Sequence, residues 1–146
     1  MKAGLKVGDS AEAELIVTNE MNVAFEGQIV HELYSTSVLT HHMEWVSRKV
    51  IVDYLEDNEE AVGYHVDIYH LKPTLGGMKV RLKAAVSQIN GNKIVTDVEA
   101  FNDLGKIARG HVTQALVGKA WLEQKRKEMS LIHGLSKEVQ SAAVTK

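Results

Sequence analysis

The alternation of apolar and polar positions divides the chain into one long helical period and several strand periods. Leu39, Met43, Val46 and Val50 recur at steps of three and four, which predicts a helix over roughly Ser37 to Leu55 with one buried stripe. Ser35, Thr36 and Ser37 are good capping types, and the helix is expected to begin after Thr36. The polar run Glu56-Asp57-Asn58-Glu59-Glu60 ends it. Glu44 stands inside the apolar run, between Met43 and Trp45, so a carboxylate is expected partway down a buried helix. A buried carboxylate needs a partner or a role.

Before the helix, Ala11 to Thr18 alternates and predicts a half-buried strand, with Ala11, Ala13, Leu15 and Val17 on its inner face. Asn19 to Glu32 has no clean period and reads as a loop or a short helical turn. After the helix, Ala61 to Leu71 predicts a strand with Val62, Tyr64, Val66, Ile68 and His70 on one face, and Gly63, His65, Asp67 and Tyr69 on the other. Pro73 to Gly77 reads as a turn. Met78 to Ile89 predicts the next strand, with Met78, Val80, Leu82, Ala84 and Val86 inward. Asn90-Gly91-Asn92 is a hairpin signal leading into a strand over Lys93 to Phe101. Asn102 to Gly105 turns again, and Lys106 to Val117 is the last strand. A charged helix is expected over Lys119 to Ile132, with Leu122 and Met129 on one side and His133-Gly134 as its stop.

This order predicts an α+β protein: an antiparallel sheet of about five strands wrapped around a long central helix, plus a C-terminal helix. The four strands after the helix are expected to form a meander. Residues 1–132 read as a single domain and 133–146 as a mobile tail. One sheet covers only one side of a helix, so a homodimer or higher homo-oligomer that completes the wrap is expected.

Composition narrows the function classes. The chain has 146 residues, 45% hydrophobic and 25% charged, enough for one sizeable core. A net charge of −2 supplies no basic field for nucleic acid or an anionic membrane. No apolar run approaches a membrane span, and Met1 to Lys6 lacks an apolar signal core. The absence of cysteine excludes disulfides, thiol catalysis and Cys-ligated zinc, and suits a cytoplasmic location.

His31, His41, His42, His65 and Glu44 invite a metal reading. However, adjacent His41 and His42 point about 100° apart on a helix, and no His-Glu-x-x-His pattern is present, so no metal is expected. On the residues alone, Glu44 is either a core carboxylate paired with Arg48 or a functional acid. His70 is either a strand-end histidine or a proton carrier, and Thr36 a cap or a reacting hydroxyl. Gly63 reads as a bulge or close-packing position.

Taken together, these residues carry a resemblance. The wrapped central helix and the element order resemble the hotdog fold. Tyr34 to Arg48, with Thr36 and Met43-Glu44-Trp45, and Val66 to Gly76, with His70-Leu71-Lys72-Pro73-Thr74, resemble the fluoroacetyl-CoA thioesterase type of hotdog enzyme. The likeness spans roughly residues 1–125. In that family a Thr, a Glu and a His form the catalytic set, the Thr eight residues before the Glu and the His twenty-six after it. Thr36, Glu44 and His70 keep both spacings. The resemblance implies an acyl-CoA thioesterase acting on a small or medium acyl group, with no cofactor beyond the coenzyme A of its substrate. It implies substrate-binding positions at Gly63, which matches a glycine lining the acyl site, and at Gln114, where fluoroacetyl-specific members carry arginine. The segment before Thr36 reads without that family's aromatic lid. Lys125-Arg126-Lys127 reads as a solvated helix face, with coenzyme A phosphates as a lesser possibility.

Thioester hydrolysis needs an attacking oxygen, a base and donors for the oxyanion. His70 suits proton transfer, and Glu44 is expected in the same layer, either supporting His70 or acting as base or nucleophile. Free N–H groups at the helix start suit an oxyanion. Eight helical residues rise about 12 Å, so Thr36 and Glu44 touch only if the chain folds back, or else they meet different substrate atoms. The rival readings are a non-catalytic acyl-CoA-binding or regulatory module on the same fold and a hydratase or dehydratase. The latter is disfavoured because no short-spaced Asp-His pair is present.

Overall fold

Helix α1 (Thr36–Ile51) lies across the concave face of a five-stranded antiparallel sheet in the computed structural model, which describes residues 1–134. The strands are β1 (Ser10–Ile16), β4 (Glu59–His70), β5 (Lys79–Asn90), β6 (Lys93–Asn102) and β7 (Gly105–Gly118). A separate hairpin, β2 (Asn22–Phe25) and β3 (Gln28–Tyr34), precedes α1, and α2 (Lys119–His133) closes the described chain. The expected tail lies, from residue 135 onward, outside the described residues.

The stripe read from the sequence is the buried one. Leu39, Met43, Val46, Val50 and Ile51 pack against Val80, Leu82, Ala84, Val86, Ile94, Val98 and Val112. Shortening a fully buried residue such as Met43 to Ala costs about 2–5 kcal/mol. Ser47 is polar inside this interface and is satisfied: its hydroxyl donates to Met43 O, and Thr96 Oγ1 lies 2.8 Å away. Ser35 caps the helix, accepting from Val38 N at 3.1 Å, so α1 begins at Thr36 rather than after it. A single turn of 3₁₀ helix, Val52–Tyr54, extends α1 to the expected end.

The sheet order is β1-β5-β6-β7-β4. The expected meander therefore holds only for β5, β6 and β7. β4 pairs with β7, and residues 71–78 cross the sheet to reach β5 on the far side. Local turn chemistry cannot report this, because strand pairing is settled by distant partners. Gly91 (φ 61°) and Gly105 (φ 126°) take the left-handed conformations that the β5–β6 and β6–β7 turns require.

The phase of β4 is a second correction. The ladder with β7 shifts between Gly63 and His65, leaving Tyr64 as an extra residue. Tyr64 is exposed, whereas Val66 and Ile68 pack on the core. The bulge brings Gly63 to the same face as His70, although strict alternation would oppose them. β4 is at the edge of the sheet, so its outer N–H and C=O groups have no strand beside them among the described residues. At Gly110 the β4 and β7 backbones come so close that a Cβ would meet Asp67 O at 2.0 Å.

The third correction concerns residues 19–32. They form a 3₁₀ turn (Asn19–Met21) and the β2–β3 hairpin. The hairpin exposes Phe25, Ile29 and Val30, so its sequence shows no inward alternation. α2 caps on Gly134 in the left-handed conformation (φ 63°), buries none of its residues fully, and leaves Met129 exposed. No described helix is long and apolar enough to cross a membrane.

Candidate functional site

The seam between α1 and β4 carries the residues singled out in the sequence. The two elements run in opposite directions, so the start of α1 meets the end of β4. Thr36, the first helical residue, sets its Oγ1 2.8 Å from His70 Nδ1, on the last residue of β4. Further along α1, Glu44 brings Oε2 within 3.4 Å of where a Gly63 Cβ would stand. At the far end Arg48 donates to Glu60 Oε1 (2.7 Å) and to Ala61 O (3.2 Å). Arg48 is thus the partner of Glu60, not of Glu44, and the pairing holds the Glu60 carboxyl below the ordinary carboxylate range.

Thr36 and His70 open onto a cleft of about 650 Å³. Val23, Ala24, Phe25, His31 and Leu33 of the hairpin form one wall, and Leu71, Lys72 and Pro73 another. Among the described residues no carboxylate lines it, and its ionisable lining is His31, Tyr34, His70 and Lys72. Phe25 at the hairpin tip supplies an aromatic rim where the sequence reads as having none. The signal was there, a lone Phe two residues before Gly27, but without the hairpin it had no position.

Several bonds hold His70 in place. Leu71 N and Lys72 N both donate to Ile107 O, fixing the chain just past the imidazole. Asn102 Nδ2 bonds Thr74 Oγ1 (3.0 Å) and Pro73 O (3.3 Å), and Tyr34 N donates to Thr74 O. Thr74 and Asn102 are nearly fully buried, so the Pro73-Thr74 segment is an anchored crossover. Sequence reasoning missed Asn102, which in Asn-Asp-Leu-Gly resembles an ordinary turn residue. Burial lowers the pKa of His70 below the ordinary 6.5, with the Lys72 backbone a smaller opposing influence, so the ring is neutral and free to accept a proton at neutral pH. Thr36 N and Ser37 N have no acceptor among the described residues, as expected for a helix's first turn.

Glu44 does not join this cluster within one chain. It is exposed, does not line the cleft, and has no hydrogen-bond or ion-pair partner among the described residues. The expectation of a buried Glu44 fails because α1 buries only one side, and position 44 falls on the flank. Gln114 pairs directly with Gly63 across the β4–β7 ladder and is buried, so both face the Glu44 side of the seam. The predicted residues therefore fall into two groups, Thr36 with His70 and Glu44 with Gly63 and Gln114. Among the described residues no three His, Asp or Glu side chains converge as a metal site.

Comparison with known proteins gives a consistent likeness. The family described as fluoroacetyl-CoA-specific thioesterase matches residues 17–120. The fluoroacetyl-CoA thioesterase of Streptantibioticus cattleyicolor is 24% identical over 123 residues, covering 80% of this chain and 88% of its own. A Thermus thermophilus hypothetical protein, described as a thioesterase superfamily member, superposes with a TM-score of 0.87 at 36% identity, over 90% of this chain and 98% of its own. A structure of the fluoroacetyl-CoA thioesterase FlK superposes with a TM-score of 0.80 at 21% identity, over 86% and 97%.

Proposed function

Because the chain belongs to the fluoroacetyl-CoA-specific thioesterase family, and is therefore a hotdog-fold thioester hydrolase, we propose that it hydrolyses acyl-CoA thioesters with Thr36 as nucleophile and His70 as base. The observation that carries this is the 2.8 Å contact between Thr36 Oγ1 and His70 Nδ1 at the mouth of the cleft. A hydroxyl within hydrogen-bond reach of a neutral imidazole is the arrangement an activated nucleophile requires. His70 takes the Thr36 proton as Oγ1 attacks the thioester carbon, and returns it to the departing sulfur. Water then attacks the acyl-threonine with His70 as base again. The free Thr36 and Ser37 N–H groups receive the oxyanion.

Glu44 enters from a second copy of the chain. β4 is a twelve-residue edge strand, which is a template for pairing. Pairing with its own copy about a twofold axis is antiparallel and isologous. Such pairing carries the Glu44–Gly63–Gln114 group of one chain toward the Thr36–His70 end of the other. There the carboxylate offsets the charge that His70 acquires, and Gly63 and Gln114 border the acyl group. The cleft volume and its bulky hairpin wall favour a small or medium acyl chain. A neutral amide at Gln114 argues against dependence on fluoroacetate.

The test is release of free thiol from acetyl-, propionyl- and longer acyl-CoAs, with Thr36→Ala and His70→Ala alongside. Short-chain turnover lost in both variants is the expected result. Binding of acyl-CoA without thiol release would favour the non-catalytic module instead.

A further inference from the structure

Behind the cleft lies an aromatic pair to which the reaction as described assigns nothing. Tyr34, the last residue of β3, is 1% exposed. Its hydroxyl lies 2.5 Å from His42 Nδ1, with the two rings stacked at 5.8 Å. The same Tyr34 ring lies T-shaped to the His70 imidazole, with centroids 6.5 Å apart and planes at 76°. His42 also meets His41 in a tilted contact and Trp45 in a T-shaped one.

The hydrogen bond has a fixed sense. Burial raises the Tyr34 pKa, so the phenol keeps its proton and donates it. Burial, and secondarily His41, lower the pKa of His42, so its Nδ1 is free to accept. The remaining His42 proton is therefore on Nε2.

His70 is held differently at its two nitrogens. Nδ1 has Thr36, whereas Nε2 is buried with no partner among the described residues. In the familiar nucleophile–base–acid arrangement a carboxylate on the second nitrogen fixes the ring. Among the described residues nothing of that kind reaches Nε2, so contact must fix the ring, and Tyr34 supplies an aromatic ring against it. We propose that Tyr34 and His42 are a positioning pair that holds the His70 ring against Thr36. The pair ties the hairpin wall of the cleft to the second turn of α1, coupling the place where substrate enters to the orientation of the base. Tyr34 and His42 do not themselves exchange protons with substrate.

This inference rests on His70 being the base, and the experiment separates the two claims. Tyr34→Phe keeps the ring and removes only the hydroxyl. His42→Asn keeps an acceptor near the position of Nδ1, and His42→Leu removes it. Tyr34→Phe and His42→Leu should lower kcat about tenfold with KM within about twofold, as for a group that acts only on the reacting arrangement. His42→Asn should restore most of the loss. The His70 ring, followed by NMR without substrate, should titrate closer to 6.5 in Tyr34→Phe, because a loosened ring is better solvated. Unchanged kcat and unchanged His70 titration in Tyr34→Phe would overturn the proposal. Equal losses in His42→Asn and His42→Leu would do so too. Full activity in His70→Gln would instead remove the catalytic reading, while a shifted His70 titration in Tyr34→Phe would still support the positioning.

Discussion

The two ends of the α1–β4 seam differ in how much of their chemistry one chain completes. At the Thr36–His70 end the partners meet at 2.8 Å, backbone bonds to Ile107 pin the strand end, and a cleft lies in front. At the Glu44–Gly63 end a carboxylate stands exposed beside a glycine, with no partner among the described residues and outside the lining of that cleft. The first end resembles a finished half-site, and the second a contribution awaiting its recipient. A carboxylate kept unpaired on an otherwise packed seam makes sense when a second molecule covers it. On the proposed function, the seam reads as one site distributed over two copies of the chain.

The comparison breaks most visibly at the finished end. His70→Ala or Thr36→Ala should lower kcat/KM by about 10³–10⁴-fold, as expected for loss of a base or nucleophile. Steady-state thiol release measures it directly. At the open end Glu44→Ala should cost about 10²-fold in kcat, since it supports charge without making the bond. Melting temperature should hardly change, because Glu44 is exposed and has no partner among the described residues.

Gly63→Val sharpens the contrast. The added Cβ would sit 3.4 Å from Glu44 Oε2, and the valine methyl groups would take up space beside that carboxylate. A loss of about tenfold in kcat is expected. The Thr36–His70 contact should remain, visible as an unaltered His70 titration. Asn102→Leu touches the finished end from behind by removing the bonds to Pro73 and Thr74, and should cost about 1–3 kcal/mol in denaturant unfolding.

The smallest effect expected is in the pH dependence of stability. His70 and His42 have folded pKa values below the ordinary 6.5, so on acidification the unfolded chain takes up their protons first. Stability should fall as pH drops from 6.5 through the folded values, and stay flat above 6.5 as far as these groups are concerned. Tyr34 acts at the other extreme. Its folded pKa is raised above 10.0, so its contribution is lost only as pH rises past that value. Guanidinium titrations at a series of pH values would trace both limbs. The acid limb of kcat/KM should lie below 6.5, where His70 gains the proton that blocks it as a base.

Much of this was legible in the chain itself. The steps among Leu39, Met43, Val46 and Val50 give the buried side of α1, because a helix period is a local property. Val80, Leu82, Ala84 and Val86 give the inner face of β5 for the same reason, whereas Thr36, Glu44 and His70 were pointed to by the family resemblance and not by periodicity. What stayed hidden was non-local or small. The pairing of β4 with β7 depends on contacts some 50 residues apart in sequence. The bulge at Tyr64 reverses the phase of a strand without any residue type announcing it. The hairpin exposes Phe25, Ile29 and Val30, so the usual alternation is absent. The exposure of Glu44, by contrast, was open to view. It follows Met43 by one residue, about 100° around the helix from a buried position.

The distributed site can be tested by mixing two inactive chains. Glu44→Ala and His70→Ala, denatured together and refolded, should form mixed dimers in which one of the two sites has both residues intact, its Glu44 from the His70→Ala chain and its His70 from the Glu44→Ala chain. Random association should then restore about a quarter of wild-type thiol release from acetyl-CoA. A mixture as inactive as either variant alone, in dimers shown to have exchanged chains, would contradict a site shared across the seam.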